Sequence, residues 1–559
     1  MTYVITQSCC NDAACVPVCP VNCIHPSPDE PGYATTEMLY IDPDGCIDCG
    51  ACVDVCPVGA ITPDYELADG LEPFEDLNAQ YFRDPAKQGY EVVASGRKPR
   101  KWVADSVGSL KVAIVGSGPA ACYAAEEILS QRGIDVAVDM FERLPAPWGL
   151  VRYGVAPDHQ DTKSASEAFA RTARRKGFRL FLNTEVGTDI THDELSRRYD
   201  AVLYAVGAVG DRSLSIAGEN LPGSHSATEF VAWYNGHPDY ADRSFDLSHE
   251  RAVIIGNGNV ALDVARVLLM DLAELERTDI ADHALAALAD SRIREVVIVG
   301  RRGPAQSAFT TPEFLGLVRR DDIDLVADKA ETALDAATRT ALASQPEALA
   351  LYKARVIASN CVEDSAADRR IVFRFLRSPT EILGSDAVEG IRLVHNSMVT
   401  NDMGDIATVP TDSVESIACG LVVRSVGYKG YPIPGLPFDS DRGVVPHLHG
   451  RVIDADSAGV VAGVYVSGWI KRGPSGGIGT NKQCAHETVS SLLDDFSAGL
   501  LPRRVDDNDV AEAIPNHIDV QGWKVLDTHE RSAGRSSKRP LVKVVDRQTM
   551  VDVARGGAQ

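Results

Sequence analysis

The sequence predicts a multidomain chain in which a small α+β domain precedes a larger α/β region with two dinucleotide-binding units. Three observations predict this fold class. Nine of the 13 cysteines lie within residues 1–56. Two later apolar segments each run into a glycine-rich turn followed by a helical pattern. The length of 559 residues is enough for roughly three to four domains of about 150 residues each.

Charge and hydropathy exclude several classes of function. The net charge of −24 opposes binding to nucleic acid or anionic lipid, because both partners require a basic surface. No apolar run approaches the roughly 18 residues that span a bilayer. The opening "MTYVITQSCC" shows neither the basic region nor the apolar segment of a secretory signal. We therefore predict a cytoplasmic globular protein whose clustered cysteines bind metal rather than form disulfides.

The cysteine spacing indicates which metal group is bound. The run "CIDCGACVDVCP" follows the spacing C-x2-C-x2-C-x3-C-P, which is typical of bacterial ferredoxin loops. In such a loop three close thiolates bind one iron–sulfur cube and the fourth reaches the neighbouring cube. The earlier stretch "SCCNDAACVPVCP" fits the same register, with Asp12 in place of the second cysteine. The sequence therefore predicts a bacterial ferredoxin fold with two iron–sulfur clusters.

The shared register predicts a ligand set for each cluster. The predicted cysteine ligands of cluster one are Cys9, Cys15 and Cys56. The predicted ligands of cluster two, a 4Fe-4S cluster, are Cys19, Cys46, Cys49 and Cys52. Asp12 is either a weak fourth ligand of cluster one or unbound, which would leave a 3Fe-4S core, because carboxylate is a poor substitute for thiolate. Structural zinc is the alternative for these loops. Cys10 and Cys23 fall outside the register and are predicted to be packed thiols, although Cys10 could replace Cys9.

The first glycine-rich turn lies in "KVAIVGSGPAACYAAEEILSQRG", where an apolar strand runs into Gly116-x-Gly118-x-x-Ala121 and then a helix. The glycines permit a tight turn and the close approach of a pyrophosphate, and the alanine permits close helix packing. The next strand ends at Glu142, and a carboxylate there favours the ribose of FAD or NAD. Cys122 has no cysteine partner nearby, which disfavours a flavin disulfide reductase. This segment predicts a Rossmann-like FAD unit.

The second turn, in "RAVIIGNGNVALDVARVLL", repeats the pattern as Gly256-x-Gly258-x-x-Ala261. After the next strand the acidic position is replaced by Arg301 and Arg302. Two guanidinium groups can bind a 2′-phosphate and so select NADP over NAD. A solvated arginine pair without a ligand is the alternative. The segment predicts a second Rossmann-like unit, for NADP.

Several longer motifs carry a family resemblance. The segments "FERLPAPWGLVRYGVAPDHQDTK", "VIIGNGNVALDVAR", "VGRRGPAQSAFTTPE" and "VSGWIKRGPSGGIGTNK" resemble adrenodoxin-reductase-like ferredoxin-NADP reductases over about residues 108–495. With the cysteine loops in front, the whole chain resembles the fused ferredoxin/ferredoxin-NADP reductases. The resemblance implies an enzyme that transfers electrons between NADPH, FAD and iron–sulfur clusters, with its own ferredoxin domain, an external ferredoxin or another redox acceptor as partner. The alternative is an electron-input flavoprotein subunit of the glutamate-synthase type.

The resemblance also implies a domain order with a divided FAD domain. The implied segments are a ferredoxin domain (1–65), a linker (66–107), the N-terminal half of the FAD domain (108–211), an inserted NADP domain (212–429), the C-terminal half of the FAD domain (430–495) and a C-terminal extension (496–559). The extension either covers the reductase or contacts another subunit.

The same resemblance implies individual site residues. The implied FAD contacts are Ala120, Glu142, Leu150, Val186, Trp469, Gly476, Gly477 and Ile478. The implied NADP contacts are Arg212, Asn259, Val260, Arg301, Arg302, Glu313 and Gly476. His159 is implied to lie near the flavin, with Glu313 on the nicotinamide side. Hydride transfer to a flavin needs no protein acid, so we expect this pair to orient the substrate or supply protons; the alternative for His159 is a structural histidine.

Overall fold

The computed structural model describes residues 2–84, 87, 108–344, 347–401, 405–454, 457 and 459–556. Residues 88–107 of the predicted linker lie outside the described residues. Within the described ranges of the chain, no helix is both long enough and apolar enough to cross a bilayer.

The N-terminal domain is built from two small antiparallel sheets and two helices. Strand β1 pairs with β4, and β2 pairs with β3. Its elements are β1 (Tyr3–Ile5), β2 (Ile24–His25), β3 (Tyr40–Ile41), α1 (Ala51–Val55), β4 (Ile61–Pro63) and α2 (Pro73–Phe82). This arrangement agrees with the predicted α+β class.

Helix α2 lies in the segment that the sequence analysis described as a linker. Phe74 and Leu77 are fully buried on one face of the helix. The Asn78 side chain donates to the Ile5 carbonyl at 2.9 Å and accepts from the Ile41 amide at 2.9 Å. Because Asn78 joins β1 and β3 in this way, α2 belongs to the N-terminal domain. The helix was missed because its apolar face is only three turns long.

The first large sheet has seven strands in the order β20-β21-β22-β8-β5-β6-β7. Strands β22, β8, β5, β6 and β7 are parallel, and β5 is buried because helices cover both faces of a parallel sheet. Its strands before the insertion are β5 (Leu110–Val115), β6 (Val136–Phe141), β7 (Phe178–Phe181) and β8 (Ala201–Tyr204). The strands after it are β20 (His447–Leu448), β21 (Arg451–Ile453) and β22 (Val460–Val466). The accompanying helices are α3 (Pro119–Leu129), α4 (Leu150–Tyr153), α5 (Gln160–Lys163), α6 (Ala165–Thr172), α7 (His192–Arg198), α16 (Trp469–Arg472) and α17 (Thr480–Ser497).

The second large sheet has six parallel strands in the order β10-β18-β11-β12-β14-β13. Its strands are β10 (Ser224–Ser226), β11 (Arg251–Ile255), β12 (Glu295–Val299), β13 (Asp324–Ala327), β14 (Arg370–Arg374) and β18 (Leu421–Arg424). Its helices are α8 (Ala227–Tyr234), α9 (Asn259–Leu269), α10 (Leu272–Leu275), α11 (Asp282–Ala289), α12 (Thr311–Val318), α13 (Lys329–Thr332), α14 (Ala336–Ser344) and α15 (Ala348–Asn360). An antiparallel sheet adds β15 (Arg377–Leu383), β16 (Gly390–Thr400) and β17 (Ile406–Ala418).

A short antiparallel pair stands where the chain passes between the two large sheets. Strand β9 (Gly210–Asp211) enters the second sheet region, and β19 (Tyr428–Lys429) returns from it. The first sheet is therefore formed by segments on both sides of an insertion.

The C-terminal extension covers the first large sheet and its surroundings. It contains α18 (Val510–Ala513), α19 (Val520–Ser537) and α20 (Arg547–Ala554). Trp523 packs edge-on against Trp148 with 6.5 Å between ring centroids. The fully buried Glu530 forms an ion pair of 2.6 Å with Arg152. These contacts show that the extension packs against the α/β region of its own chain.

Candidate functional site

The first glycine-rich turn connects β5 to α3. Gly116 has a φ of +100°, and an added Cβ would lie 2.5 Å from the Ala205 carbonyl oxygen, so the position requires glycine. An added Cβ at Gly118 would meet nothing within 4 Å. Ala121 is fully buried where α3 packs on the sheet. The open space at Gly118, beside the start of a helix, fits a pyrophosphate.

Glu142 follows β6 and lies beside this turn. Its carboxylate accepts hydrogen bonds from Ser117 Oγ at 2.7 Å and from the Leu144 amide at 3.0 Å. Leu150, at the start of α4, is 38% exposed. The remaining acceptor positions of the fixed carboxylate fit a ribose hydroxyl, as the sequence analysis predicts for FAD.

The segment after β22 lies against the start of α3. At Gly468, whose φ is +79°, an added Cβ would lie 2.7 Å from Ala120 Cβ. The Trp469 indole donates to the Ser475 carbonyl at 3.0 Å, which closes the following loop. The structure therefore brings Ala120 into contact with Gly468, the residue before Trp469, across about 350 residues of sequence.

We call residues 476–479 the glycine loop. Gly476 has a φ of +73°, and Gly476 and Gly477 are exposed, whereas Ile478 is half-buried. The Asn481 side-chain amide donates to the Gly477 carbonyl at 2.9 Å, which fixes the loop at the start of α17.

Val186, the other predicted FAD contact, is half-buried in the loop after β7, where it pairs with Ile190.

The second glycine-rich turn connects β11 to α9 and repeats the geometry of the first. Gly256 has a φ of +105°, and an added Cβ would lie 2.1 Å from the Ser425 carbonyl oxygen. At Gly258 an added Cβ would again meet nothing within 4 Å. The Asn259 side chain accepts from the Thr310 amide at 2.7 Å. Val260 follows it and is half-buried. This turn also fits a pyrophosphate.

Arg301 and Arg302 follow β12, and both are exposed. The Arg301 carbonyl accepts a hydrogen bond from Asn396 Nδ2 at 3.0 Å, and the Arg302 carbonyl accepts one from the Leu376 amide at 3.2 Å. Among the described residues, neither guanidinium group has a hydrogen-bond or ion-pair partner. Two fixed backbones with two unpaired guanidinium groups fit a phosphate. Arg212, also exposed, donates from Nε to the Tyr428 carbonyl at 3.3 Å.

His159 and Glu313 are brought together, with 3.8 Å between His159 Nε2 and Glu313 Oε2. Arg266 Nη2 donates to His159 Nε2 at 2.9 Å, and its other contacts are to Asp158 at 2.6 Å and Asp263 at 2.7 Å. Burial raises the pKa of Glu313. Burial also disfavours the Asp158 carboxylate, but Arg266 outweighs it and lowers the pKa of Asp158 to about 2. Sequence reasoning missed this arginine and its two aspartates, although all three lie within the quoted family motifs.

The cysteines predicted to bind cluster one lie close together. Burial raises the pKa of the Cys9 thiol to about 11, and the nearby Cys56 adds to the rise. Burial, followed by the proximity of Cys9, Asp12 and Cys56, also raises the pKa of Cys15. Asp12 Oδ1 accepts from the Ala14 amide at 3.1 Å, and Oδ2 lies 3.4 Å from Lys482 Nζ. The three thiols fit an iron–sulfur core, while both Asp12 oxygens already have protein partners.

The cysteines predicted to bind cluster two line one small cavity. These are Cys19, Cys46, Cys49 and Cys52. Cys23, predicted to be a packed thiol, also lines the cavity, with its Sγ 3.4 Å from Cys19 Sγ. Cys23 is buried, as a packed thiol would be, and the turn after Cys19 also places it beside the cluster-two site. Cys10 is buried in a separate small apolar group, as a packed thiol would be.

Comparisons with known proteins agree with this geometry. Residues 39–62 match the model of the 4Fe-4S binding domain, and residues 110–309 match that of the pyridine nucleotide-disulphide oxidoreductases. The probable ferredoxin/ferredoxin-NADP reductase of Mycobacterium tuberculosis is 48% identical over 569 residues, which cover 99% of this chain and 95% of that protein. The corresponding Mycobacterium leprae protein is 46% identical over 572 residues, covering 100% and 98%.

Solved structures lead to the same family. Mycobacterium tuberculosis FprA in complex with NADPH is 46% identical, with a TM-score of 0.74 over 80% of this chain and 100% of that chain. The predicted fold class, a ferredoxin domain followed by two Rossmann-like units, is confirmed. The chain therefore belongs to the family of fused ferredoxin/ferredoxin-NADP reductases.

Proposed function

We propose that this protein transfers electrons between NADPH and its own ferredoxin domain, with FAD bound between them. One observation carries the proposal: the two glycine-rich turns have opposite charges beside them. Glu142 lies beside the first turn, and Arg301 and Arg302, whose guanidinium groups have no partner among the described residues, lie beyond the second. A carboxylate suits an unphosphorylated ribose, and guanidinium groups suit a 2′-phosphate. The first unit therefore favours FAD and the second NADP(H).

The chain's own residues would position both nucleotides. When bound, FAD would accept two electrons together from NADPH and pass them on one at a time. The remaining proposed FAD contacts, from the family resemblance, are Gly116, Gly118, Ala120, Ala121, Leu150, Val186, Trp469, Gly476, Gly477 and Ile478. The remaining proposed NADP contacts are Arg212, Gly256, Gly258, Asn259, Val260, Glu313 and Gly476. The two turns would hold the pyrophosphates at the starts of α3 and α9.

We propose that His159 and Glu313 orient the nicotinamide and hold a proton beside it. Arg266 has only donors to offer, so His159 Nε2 accepts its hydrogen bond and the imidazole proton lies on Nδ1. Burial raises the pKa of Glu313, so this carboxyl group keeps its proton to a higher pH than an exposed glutamate. Arg266 in turn is fixed by Asp158 and Asp263.

We propose two iron–sulfur clusters in the ferredoxin domain. Cys9, Cys15 and Cys56 would hold cluster one as 3Fe-4S, because thiolate is a much better ligand for iron than the carboxylate of Asp12, which also lies beside Lys482. Cluster two, a 4Fe-4S cluster, would be held by four cysteines that line one cavity: Cys19, Cys46, Cys49 and Cys52. An external ferredoxin or another one-electron acceptor would receive the electrons. We place the reaction in the cytoplasm, because reducing conditions keep the clustered thiols free for metal.

Anaerobic purification followed by cofactor analysis and NADPH titration tests the function. We expect about one FAD and seven irons per chain, since 3Fe-4S and 4Fe-4S clusters together contain seven. NADPH should bleach the flavin absorbance and support reduction of cytochrome c by the isolated protein. A colourless preparation, or a flavin that NADPH leaves oxidised, would contradict the proposal. Activity only with a co-purified partner would favour the electron-input subunit instead.

A further inference from the structure

One of the contacts between the ferredoxin domain and the reductase is made by the loop that carries the first two cluster-one positions. We infer that this docking makes cluster one the first acceptor of electrons from the flavin and leaves cluster two for the external acceptor. The inference rests on the proposed function. The contacts of the glycine loop (residues 476–479) indicate which of the two sets of cysteines faces the flavin-binding unit.

A main-chain hydrogen bond fixes the contact. The Gly479 amide donates to the Cys10 carbonyl at 2.7 Å. An added Cβ at Gly479 would lie 2.1 Å from the Asp12 amide nitrogen and 2.2 Å from the Asn11 carbonyl carbon. The φ of Gly479 is −72°, a value that any residue adopts. Glycine is therefore required here by the approach of the ferredoxin loop and not by the local backbone.

Apolar packing joins the same two segments. Ile478 of the glycine loop packs against a small cluster that combines both domains. The other members of this cluster are Cys9, Cys10, Cys56, Val58, Ala60 and Ala165. Two of the three proposed cluster-one ligands, Cys9 and Cys56, thus lie in one apolar group with a proposed flavin contact. Apolar side chains therefore line the contact between the loop that carries Cys9 and the glycine loop.

The position that lacks a cysteine takes part in the docking. Asp12 Oδ2 lies 3.4 Å from Lys482 Nζ in the first turn of α17. Nearby, Ser164 Oγ donates to the Pro57 carbonyl at 3.0 Å, so the chain segment after Cys56 is also held by the reductase. The second cysteine position of the register is therefore occupied by a docking residue.

The cavity of cluster two is open to solvent on one side. Of the residues that line it, Cys49 is exposed and Ile47 is 57% exposed. Within the described ranges, no hydrogen bond joins a residue lining this cavity to residues 108–556. The two cysteine sets consequently have different surroundings, one against the glycine loop and the other toward solvent.

The proposed path balances in electrons. A bound flavin that had received a hydride from NADPH would give up two electrons, one at a time, and release one proton to solvent. Each electron would pass through the cluster held by Cys9, Cys15 and Cys56 to the cluster held by Cys19, Cys46, Cys49 and Cys52, and from there to an oxidised one-electron acceptor protein.

Replacing Gly479 tests the docking, with Gly32→Ala as the matched control. An added Cβ at Gly32 meets nothing within 4 Å. In Gly479→Ala we expect the amides of residues 8–14 to exchange hydrogen for deuterium at least 10-fold faster than in wild type or the control. In freeze-quench electron paramagnetic resonance (EPR), the rate of cluster-one reduction should fall at least 10-fold relative to the rate of flavin reduction measured in the same variant. Unchanged exchange and unchanged cluster-one reduction would overturn the inference.

Two measurements on the wild-type holoenzyme keep the inference testable if that variant fails to fold. A zero-length carbodiimide crosslink should join Asp12 to Lys482, detected as one linked peptide by mass spectrometry. After mixing with NADPH, the EPR change of cluster one should precede that of cluster two. The reverse order, or no crosslinked peptide, would overturn the inference. A flavin that NADPH cannot reduce would instead count against the proposed function, and the crosslink would still report on the docking.

Discussion

Gln7 Nε2 of the N-terminal domain donates a hydrogen bond of 3.2 Å to Glu313 Oε2 on helix α12, across 306 positions of sequence. Gly316 leaves room for this approach, because a Cβ at this position would lie 2.4 Å from Nε2 of the Gln7 side chain. Glu37 of the same domain accepts from the Thr311 amide at 2.8 Å and pairs with the buried Lys353. The ferredoxin domain therefore holds the helix that carries a proposed nicotinamide-side residue.

Replacing Gln7 by leucine should change the protonation of Glu313. The hydrogen bond from Gln7 opposes the rise that burial imposes on the pKa of Glu313, so its loss should raise this pKa further. The pH profile of NADPH-dependent flavin reduction should shift toward higher pH, with iron and FAD content unchanged. Gln548→Leu, on the exposed face of α20, is the control. A profile identical to that of wild type would show that Gln7 has only a structural role.

Replacing Arg301 and Arg302 together by alanine should weaken NADPH binding and leave NADH binding almost unchanged. Each guanidinium contact with a phosphate contributes about 1.5–3 kcal/mol, so the Kd for NADPH should rise roughly 100-fold or more. Fluorescence titration with both nucleotides measures the change. The control is Arg531→Ala, which removes an arginine paired with Asp527 on the surface. Equal losses for NADPH and NADH would refute the assignment.

Replacing Asp12 by cysteine should complete the ferredoxin register of the first loop. A thiolate is a much better ligand for iron than a carboxylate. We expect the EPR signal of an oxidised 3Fe-4S cluster in the aerobically purified wild type, and its loss in the variant, with about one additional iron per chain. The absence of this signal in the wild type would contradict the proposed type of cluster one.

Replacing Asp279 by asparagine should destabilise the fold. This buried carboxylate accepts from Lys163 at 2.6 Å and lies 2.9 Å from Lys543 of the C-terminal extension. Removing one partner of a buried ion pair costs about 3–5 kcal/mol. Thermal unfolding measures the loss, and Asp527→Asn, which removes a surface pair with Arg531, should cost only about 0.3–0.5 kcal/mol. Similar Tm values for the two variants would contradict the prediction.

Lys543 should make stability depend on pH. Burial lowers the pKa of Lys543 from its ordinary value of 10.5 to about 7, although Asp279 opposes the change. Between these values the unfolded chain binds more protons than the folded one, so the free energy of unfolding gained from this group rises with pH. The stability of wild type relative to Lys543→Met should therefore increase from pH 7 to 10.5, as followed by denaturant unfolding. A constant or falling difference would contradict this.

The sequence by itself determined the features of this protein that depend on local spacing. The cysteine runs, the two glycine-rich turns and the charges after the next strands lie within short segments, and the strand–turn–helix geometry follows from local backbone requirements. Gly116 and Gly256 show this clearly, because each is required by a positive φ and a neighbouring carbonyl. The fold class was predictable for the same reason.

Only the tertiary structure decided which of these features meet. Three features depend on how the chain folds back on itself: the position of Cys23 beside Cys19, the contact of Arg266 with His159, and the helix within the predicted linker. The contact of Gly479 with Cys10 depends on the docking of two domains far apart in sequence. Contacts of this kind produce no local sequence pattern, because they depend on how whole surfaces from distant segments pack together.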